Sequence, residues 1–436
     1  MRSQISIFLS KTRKGIGMSK FSGFSKKSRV DRLQILRQIG GLSEESQATL
    51  TEDRNLSPDI AENMVENQIG TFSLPYALLP EITINGKDYL LPMVTEEPSV
   101  VAAASFAAKI ISRSGGFTYQ QECRQMIGQI PLYQISDKMK AKRAIQKQAQ
   151  ELINYANLAY PSIQKRGGGC RSLHVEEKDL FLIVYLHVDV QEAMGANILN
   201  TMLEALIPHL ESLTGGRALM GILSNYATDS VVSASCRLPL RRLHANPKEA
   251  QQLAERIQLA SHLAQIDPYR AATHNKGIFN GIDALVLATG NDFRAIEAGA
   301  HAFASRDGQY RGLSTWSIEG EELVGQLSLP MPIATVGASI GLNPKVKLSL
   351  ELLGFPDART LAGMIASLGL CQNFAALRAL VSTGIQAGHM KLQARSLAMQ
   401  AGAAPHEVEV LSKQLLQSPH MNLATAQELL ANLRKS

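Results

Sequence analysis

The stretch from Leu180 to Gly216 constrains this chain most. LFLIVYLHVDV is rich in β-branched and aromatic residues and reads as a strand. It passes through QEAMGAN into a long helix, ILNTMLEALIPHLESL, which Gly215-Gly216 stops. Upstream lie FTYQQECRQMIG, a helical segment at about 138 to 158 and the Gly-rich GGGCRSL. The order helix, strand, strand, helix, strand predicts a compact α+β module over residues 117–228, set into a larger frame.

The frame is expected on both sides, at 29–116 and 229–375. Residues 29 to 67 are polar and helical, and Asn85-Gly86 marks a hairpin turn between EITI and DYLL. Pro98 opens an Ala-rich helix that runs to about Ser112. Beyond the module come the strand VVSASCRLPL, the helix PKEAQQLAERIQLASHLAQ, the hairpin STWSIEGEELVGQLSLP and two helical stretches ending near Ser382. Residues 376–436 read as a mobile subdomain with helices at about 391 to 402, 405 to 417 and 423 to 434. With 436 residues, 45% of them hydrophobic, the chain can bury a large core.

The net charge of +6 suggests nucleic acid only until its placement is considered. Residues 1–32 hold nine lysines and arginines against Asp31 alone, so the rest of the chain is slightly acidic. Residues 1–28 are therefore expected to be a disordered basic tail, either a presequence or the product of a start upstream of Met18. Four scattered cysteines without a CxxC pair argue against a disulfide framework or a cysteine zinc site and for a reducing, cytoplasmic setting. No apolar run reaches about 18 residues, so no membrane span is expected.

Several segments carry candidate chemistry. Glu96-Glu97-Pro98-Ser99 precedes the Ala-rich helix. Its acids either complement the helix dipole or keep a carboxyl protonated near neutrality as a proton donor. Glu192-Ala-Met194-Gly195-Ala-Asn197 sits where a strand meets a helix N-terminus, a place for phosphate, although GxGxxG is absent. THNKGIFNGIDALVLATGND, residues 273–292, has Lys276 and Asp292 flanking an apolar run that reads as a strand. A lysine there can stabilise an oxyanion, and the aspartate either tunes it or caps the next helix. Arg270 is either a surface cation or a clamp for a substrate carboxylate. His389, in GIQAGHMKLQAR, lies near the mobile end, and His274 is given an orienting role.

Taken in order, ENQIGTF, PMVTEEPSVVAAAS, GGGCR, AMGANILNTMLEA, DPYRAATHNKGIFNGIDALVLATGNDFRAIEAGAHAFA and GIQAGHMKLQAR resemble the signatures of 3-hydroxy-3-methylglutaryl-CoA (HMG-CoA) reductase of the soluble bacterial, class II type. The resemblance extends from about residue 29 to the end. It implies a large, mainly helical substrate domain, an inserted small ferredoxin-like cofactor domain and a C-terminal helical flap. It also implies a homodimer with shared active sites, open to higher assembly, without membrane, nucleic acid or metal. The reaction implied is reduction of HMG-CoA by two NADH or NADPH to mevalonate and CoA for isoprenoid biosynthesis, or the reverse in catabolism. By motif, Lys276 would polarise the thioester carbonyl, Glu97 would supply a proton in the aldehyde step, Asp292 would tune Lys276, and His389 would protonate the departing thiolate. Ser99, Arg270, Asn280 and Asn225 would hold the substrate, and Glu192, Met194, Gly195 and Asn197 the cofactor.

Departures from that pattern matter. Tyr160 stands where NADH-preferring members have an aspartate, and Lys165 and Arg166 are close by, which favours a 2′-phosphate. GASIGLNP at 337–344 replaces the usual GGAT-type turn, Glu192 replaces a shorter acid, and Gln393 replaces a histidine. The rival readings are a catalytically inactive CoA-binding homologue and a nucleic-acid-binding protein.

Overall fold

Helix boundaries in this chain follow its capping residues. The computed structural model describes residues 21–39, 41–337, 340–382 and 386–435; within 386–400, the side chains of residues 386–389, 391 and 392 lie outside the described set. Three helices open it: α1 (Arg29–Ile39), α2 (Glu44–Thr51) and α3 (Pro58–Met64). The Ser43 and Ser57 side chains cap the second and third. Most of the expected basic tail, residues 1–20, lies outside the described residues. Residues 21–28 are structured, contrary to expectation. Phe21 is buried with Leu36, Leu90, Leu348 and Leu352, because this small apolar cluster needs an aromatic to close it.

β1 (Tyr76–Ile84) and β2 (Lys87–Val94) form the expected hairpin, turning through Asn85 and Gly86, both at positive φ. α4 (Val100–Ser112) and β3 (Phe117–Gln120) follow. β3 pairs with β1 and with a later strand of the frame, so the frame extends past residue 117, where the module was expected to begin. Phe117 is fully buried in the frame's core, which explains the capture.

The inserted unit runs β4 (Gln125–Tyr133), α5 (Lys138–Lys147), α6 (Ala149–Ala159), α7 (Pro161–Lys165), β5 (Gly169–Lys178), β6 (Phe181–Asp189), α8 (Ala196–Thr214), β7 (Arg217–Ala218) and β8 (Ile222–Ser224). All its pairings are antiparallel, in the order β5-β6-β4 with β7 and β8 beyond. This β-α-β-β-α-β arrangement is ferredoxin-like. The unit has its own core, in which Met126, Ile130, Val184, Leu186, Leu199 and Met202 are fully buried.

The frame resumes with β9 (Val231–Pro239), α9 (Pro247–Ile266), α10 (Pro268–Ala288), α11 (Phe293–Ala304), β10 (Ser314–Glu319), β11 (Glu322–Pro330), α12 (Pro344–Leu352) and α13 (Ala358–Val381). Its six strands lie in the order β10-β11-β9-β3-β1-β2. α13 is long and apolar enough to cross a membrane, unlike the sequence expectation, yet 72% of its most apolar window is buried inside the fold. Leu361, Met364, Leu368 and Phe374 are fully covered, each contributing roughly 1.5–3 kcal/mol of burial. α13 continues past residue 376, so the C-terminal unit starts after it. That unit holds α14 (Gln386–Gln400), α15 (Val408–Gln417) and α16 (Leu423–Lys435) around a separate small core. Arg434 ties its last helix to Glu407.

The chief correction concerns residues 273–292. The apolar run 285–288 belongs to the helix α10. Short apolar runs do not distinguish a strand from a buried helix. Here the residues are apolar because α10 is enclosed by α13, β2 and α9. α10 and α13 approach closely through small residues: a Cβ on Gly281 would lie 2.9 Å from the Leu368 carbonyl oxygen. Gly281→Ala should therefore lower the melting temperature. Overpacking against backbone costs about 1–3 kcal/mol, more than the ~1 kcal/mol gained in helix propensity. A melting temperature equal to or above that of the unaltered protein would show that the crossing tolerates a methyl group.

Candidate active site

α10 starts because Asp267 accepts hydrogen bonds from the backbone N–H groups of Tyr269 and Arg270, with Pro268 in the first turn. Its exposed face meets the loop before α4. There the Lys276 ammonium donates to one Glu97 oxygen, and the Asn280 amide donates to the other at 3.4 Å. Ser99, at the start of α4, holds φ at 73°, a left-handed conformation that costs a non-glycine residue about 1–3 kcal/mol. The loop is thus bent sharply beside Glu97. Among the proposed groups, the fold brings together Glu97, Lys276 and Asn280, with Ser99 two residues from Glu97.

Arg270 is half-buried, and no carboxylate among the described residues pairs with its guanidinium. Burial pulls its pKa down. A cation in that state favours an incoming anion. Below it, His274 is buried with Ser314, Asn373 and Trp316 in a polar network. Burial, aided by Arg270, pushes its pKa down to about 3. His274 is a neutral core residue rather than an orienting group at the surface of the site. Asn275, wholly buried, holds the 311–313 segment through the Arg311 carbonyl and the Leu313 N–H.

Asp292 does not meet Lys276 within one chain. Twelve residues of helix separate Lys276 from Ala288, about 18 Å at 1.5 Å per residue. Asp292 instead caps α11, accepting from the Arg294 and Ala295 N–H groups at 3.0 and 3.2 Å. The Asn225 carbonyl lies against Gly299 of α11. His389 lies in the first turn of α14, and its side chain is outside the described set.

At the other candidate region, Gly195 holds φ at 102° and starts α8, whose first turn has no acidic residue and no side-chain cap. A Cβ at Gly195 would lie 2.4 Å from Val190. Open N–H groups at a long helix suit a phosphate, and exposed Asn197 flanks them. Met194 packs between the inserted core and the Ala334–Val346 cluster. Glu192 is turned the other way from the role expected of it. Its carboxylate accepts from Thr335 Oγ1 at 2.6 Å and from the Ala358 N–H at 2.8 Å, joining the inserted unit to the start of α13.

Sequence reasoning missed three groups. Arg124 is buried beneath Glu192, donates to the Ala193 and Ile333 carbonyls and is attracted by Glu192 and Asp189. His174 on β5 and His187 on β6 form a hydrogen-bonded chain with Asp229 of the 228–230 turn. Asp283 has one carboxylate oxygen buried without a partner, and burial together with Glu297 and Glu96 raises its pKa. Helical spacing from Lys276 would have exposed Asp283, had the run not been read as a strand. Among the described residues no group of three or more His, Cys, Asp or Glu is arranged to hold a metal.

A lysine–carboxylate–amide group on a helical frame, with an inserted unit presenting an open helix N-terminus, defines a protein for carbonyl chemistry on an anionic substrate. The hydroxymethylglutaryl-coenzyme A reductase family model matches residues 28–394. The 3-hydroxy-3-methylglutaryl-coenzyme A reductase of Archaeoglobus fulgidus is 44% identical over 422 residues, covering 95% of each chain. A probable reductase of the same name from Borreliella burgdorferi is 35% identical over 79% of each. A Streptococcus pneumoniae 3-hydroxy-3-methylglutaryl-coenzyme A reductase structure superposes with TM-score 0.83 at 61% identity, covering 95% of this chain and 99% of its own. A class II structure from that organism, bound to NADPH in open conformations, gives TM-score 0.82 at 62% identity over 83% of this chain and 100% of its own. The chain belongs to the hydroxymethylglutaryl-coenzyme A reductase family.

His274 makes the fold sensitive to acid. Its folded pKa is depressed from 6.5 to about 3, so its contribution to stability is present above 6.5 and is lost as pH falls towards 3. In His274→Gln, melting temperature plotted against pH should have a shallower acid slope across that window. An unchanged slope would place the acid sensitivity elsewhere.

Proposed function

We propose that this chain reduces HMG-CoA to mevalonate and CoA, using two NAD(P)H and taking up two protons. The observation that carries the reading is the Glu97–Lys276–Asn280 group, built from two segments far apart in sequence. The family relationship supports it, and no observation favours the inactive CoA-binding alternative. The basic tail, the sole motive for a nucleic-acid partner, lies mostly outside the described residues.

Lys276 donates to the thioester oxygen and stabilises the oxyanion as the acyl carbon is reduced. Glu97, already bonded to Lys276, supplies the proton to the aldehyde oxygen in the second reduction. Asn280 holds the substrate hydroxyl, Arg270 takes the terminal carboxylate, and Ser99 and Asn225 complete the pocket. His389 arrives with the C-terminal unit and protonates the departing CoA thiolate; closure also retains the aldehyde between the two reductions. The nicotinamide cofactor, when bound, supplies hydride to the acyl carbon. Gly195, Met194 and Asn197 at the α8 N-terminus would hold the cofactor, and Glu192 ties that segment to the start of α13. Lys165 and Arg166, both exposed beside Tyr160, favour NADPH over NADH.

The active unit is a cytoplasmic homodimer. Leu259, Leu263 and Ile266 form an exposed apolar stripe on α9 that continues to Tyr269, and Ile69 and Phe72 are almost fully exposed. A second copy placed on this face would cover these side chains.

Lys276→Ala is expected to abolish reduction of both HMG-CoA and mevaldehyde in a cofactor-oxidation assay; retention of full activity would sink the mechanism. His389→Gln should cripple reduction of the thioester and spare mevaldehyde, because no thiolate leaves from the aldehyde. Equal loss on both substrates would remove the assigned role. Parallel assays with NADH and NADPH test the cofactor preference, and a higher rate with NADH at equal concentration would reverse it.

A further inference from the structure

Residues 331–335 follow β11 as irregular backbone, yet they are largely buried: Ile333 is 1% exposed and Ala334 4%. Buried backbone groups without a ladder partner must be met by side chains. Two side chains from distant segments meet them. The Asn291 amide, in the turn between α10 and α11, accepts from the Ala334 N–H at 2.7 Å and donates to the Ala334 carbonyl at 3.1 Å. It pairs with that residue as a neighbouring strand would. Arg124, in the connection from β3 to β4, donates from a single nitrogen, Nη2, to both the Ile333 and the Ala193 carbonyls. The guanidinium is buried, and its Nε and Nη1 have no partner.

The inserted unit reaches the same strip from its own side. The Thr335 N–H donates to the Glu192 carbonyl at 3.0 Å, and Thr335 Oγ1 donates to the Glu192 carboxylate at 2.6 Å. Glu192 and Ala193 lead directly to Gly195 and α8. Both chain connections of the inserted unit also converge here. The Met331 N–H and the Gln121 side-chain amide donate to the Ser230 carbonyl, and Ser230 Oγ donates to the Gln125 carbonyl. Asn291 is itself fixed to α10, because its N–H donates to the Val286 carbonyl at 3.0 Å. A continuous line of hydrogen bonds therefore runs from the last turn of α10, through 333–335, to the loop before α8.

We propose that residues 333–335 form a clasp that holds the α10–α11 turn and the loop before α8 in one relative placement, with Asn291 and Arg124 as its positioning residues. The clasp rests on these bonds; its effect on the cofactor rests on the reductase reading of the site. Removing either side chain leaves buried backbone groups unpaired, which costs more than the bond itself contributed. The strip then shifts to find other partners, Ala193 loses its fixed position, and the α8 N-terminus no longer meets the cofactor squarely. Among the described residues the Asn291 side chain bonds to Thr289 and Ala334, not to that loop, so its effect there travels through the strip.

Hydrogen exchange on the unliganded full chain reads the clasp without turnover. The Ala193 N–H, bonded to the Val190 carbonyl at 3.1 Å, reports on the loop. In Asn291→Ala, exchange should quicken about tenfold or more in both 331–335 and 190–195. Arg124→Met, which removes the donors at similar length, should do the same. Arg124→Lys should keep most of the protection, because a single nitrogen already serves both carbonyls. Titration with NADPH, followed by cofactor fluorescence, should show Kd raised about tenfold in Asn291→Ala and in Arg124→Met. In the double variant the rise should be smaller than the product of the two, since both act through one segment. Asn291→Ala serves alone for exchange and Kd if Arg124→Met does not fold. Faster exchange confined to 331–335 overturns the clasp, and Arg124→Lys exchanging like Arg124→Met overturns the part given to Arg124. Exchange that spreads with an unchanged Kd overturns the link to the cofactor, and single effects that multiply overturn the shared segment. An unaltered chain that binds neither NADPH nor NADH overturns the reductase reading instead, and the exchange pattern still decides the clasp.

Discussion

The close crossing of α10 over α13 is the contact on which the rest of the site depends. α13 is buried along most of its length, and α10 lies directly on it with Gly281 against the Leu368 carbonyl. A helix held this rigidly from below can present polar groups from its upper face without letting them wander. Lys276, Asn280 and Asp283 are those groups. The buried polar network of His274, Asn275, Ser314 and Asn373 fastens the first half of the same helix to β10. Asn275, Ser314 and Asn373 find partners in it, while His274 Nδ1 has none, and the bonds that are made locate α10 against the 311–314 segment.

The inserted unit and the C-terminal helices are joined to this frame differently. The inserted unit has a complete core of its own and meets the frame through polar contacts at Glu192 and Arg124. Arg124 keeps two guanidinium nitrogens unpaired despite its burial. With Met194 also packed against the Ala334–Val346 cluster, the junction combines directional polar contacts with an apolar one. The C-terminal unit encloses a small apolar cluster of its own.

Charge is managed around the site by burial as much as by pairing. Among the described residues no carboxylate pairs with Arg270, whereas His274 beneath it is kept neutral. On the acidic side, burial and the neighbouring Glu297 and Glu96 raise the pKa of the Asp283 carboxyl to about 8. A site built for a substrate with a carboxylate and phosphates thereby avoids an excess of negative charge close to where they bind.

Much of this was legible in the amino-acid order. Capping residues, the Asn85-Gly86 turn and the 3.6-residue patterns located most helices and hairpins, because those signals are local. Motif order assigned the family and drew Glu97, Lys276 and Asn280 into one proposal. The nature of the 285–288 run was decided only by tertiary structure. Its apolar residues are equally consistent with a strand and with a helix enclosed on several sides, and only the presence of α13 distinguishes them. The same helix carries Lys276 about 18 Å from its end at Ala288, beyond which Asp292 lies, and among the described residues no carboxylate pairs with Arg270. Distances between segments remote in sequence follow from how the elements pack, and no local pattern of residues encodes them.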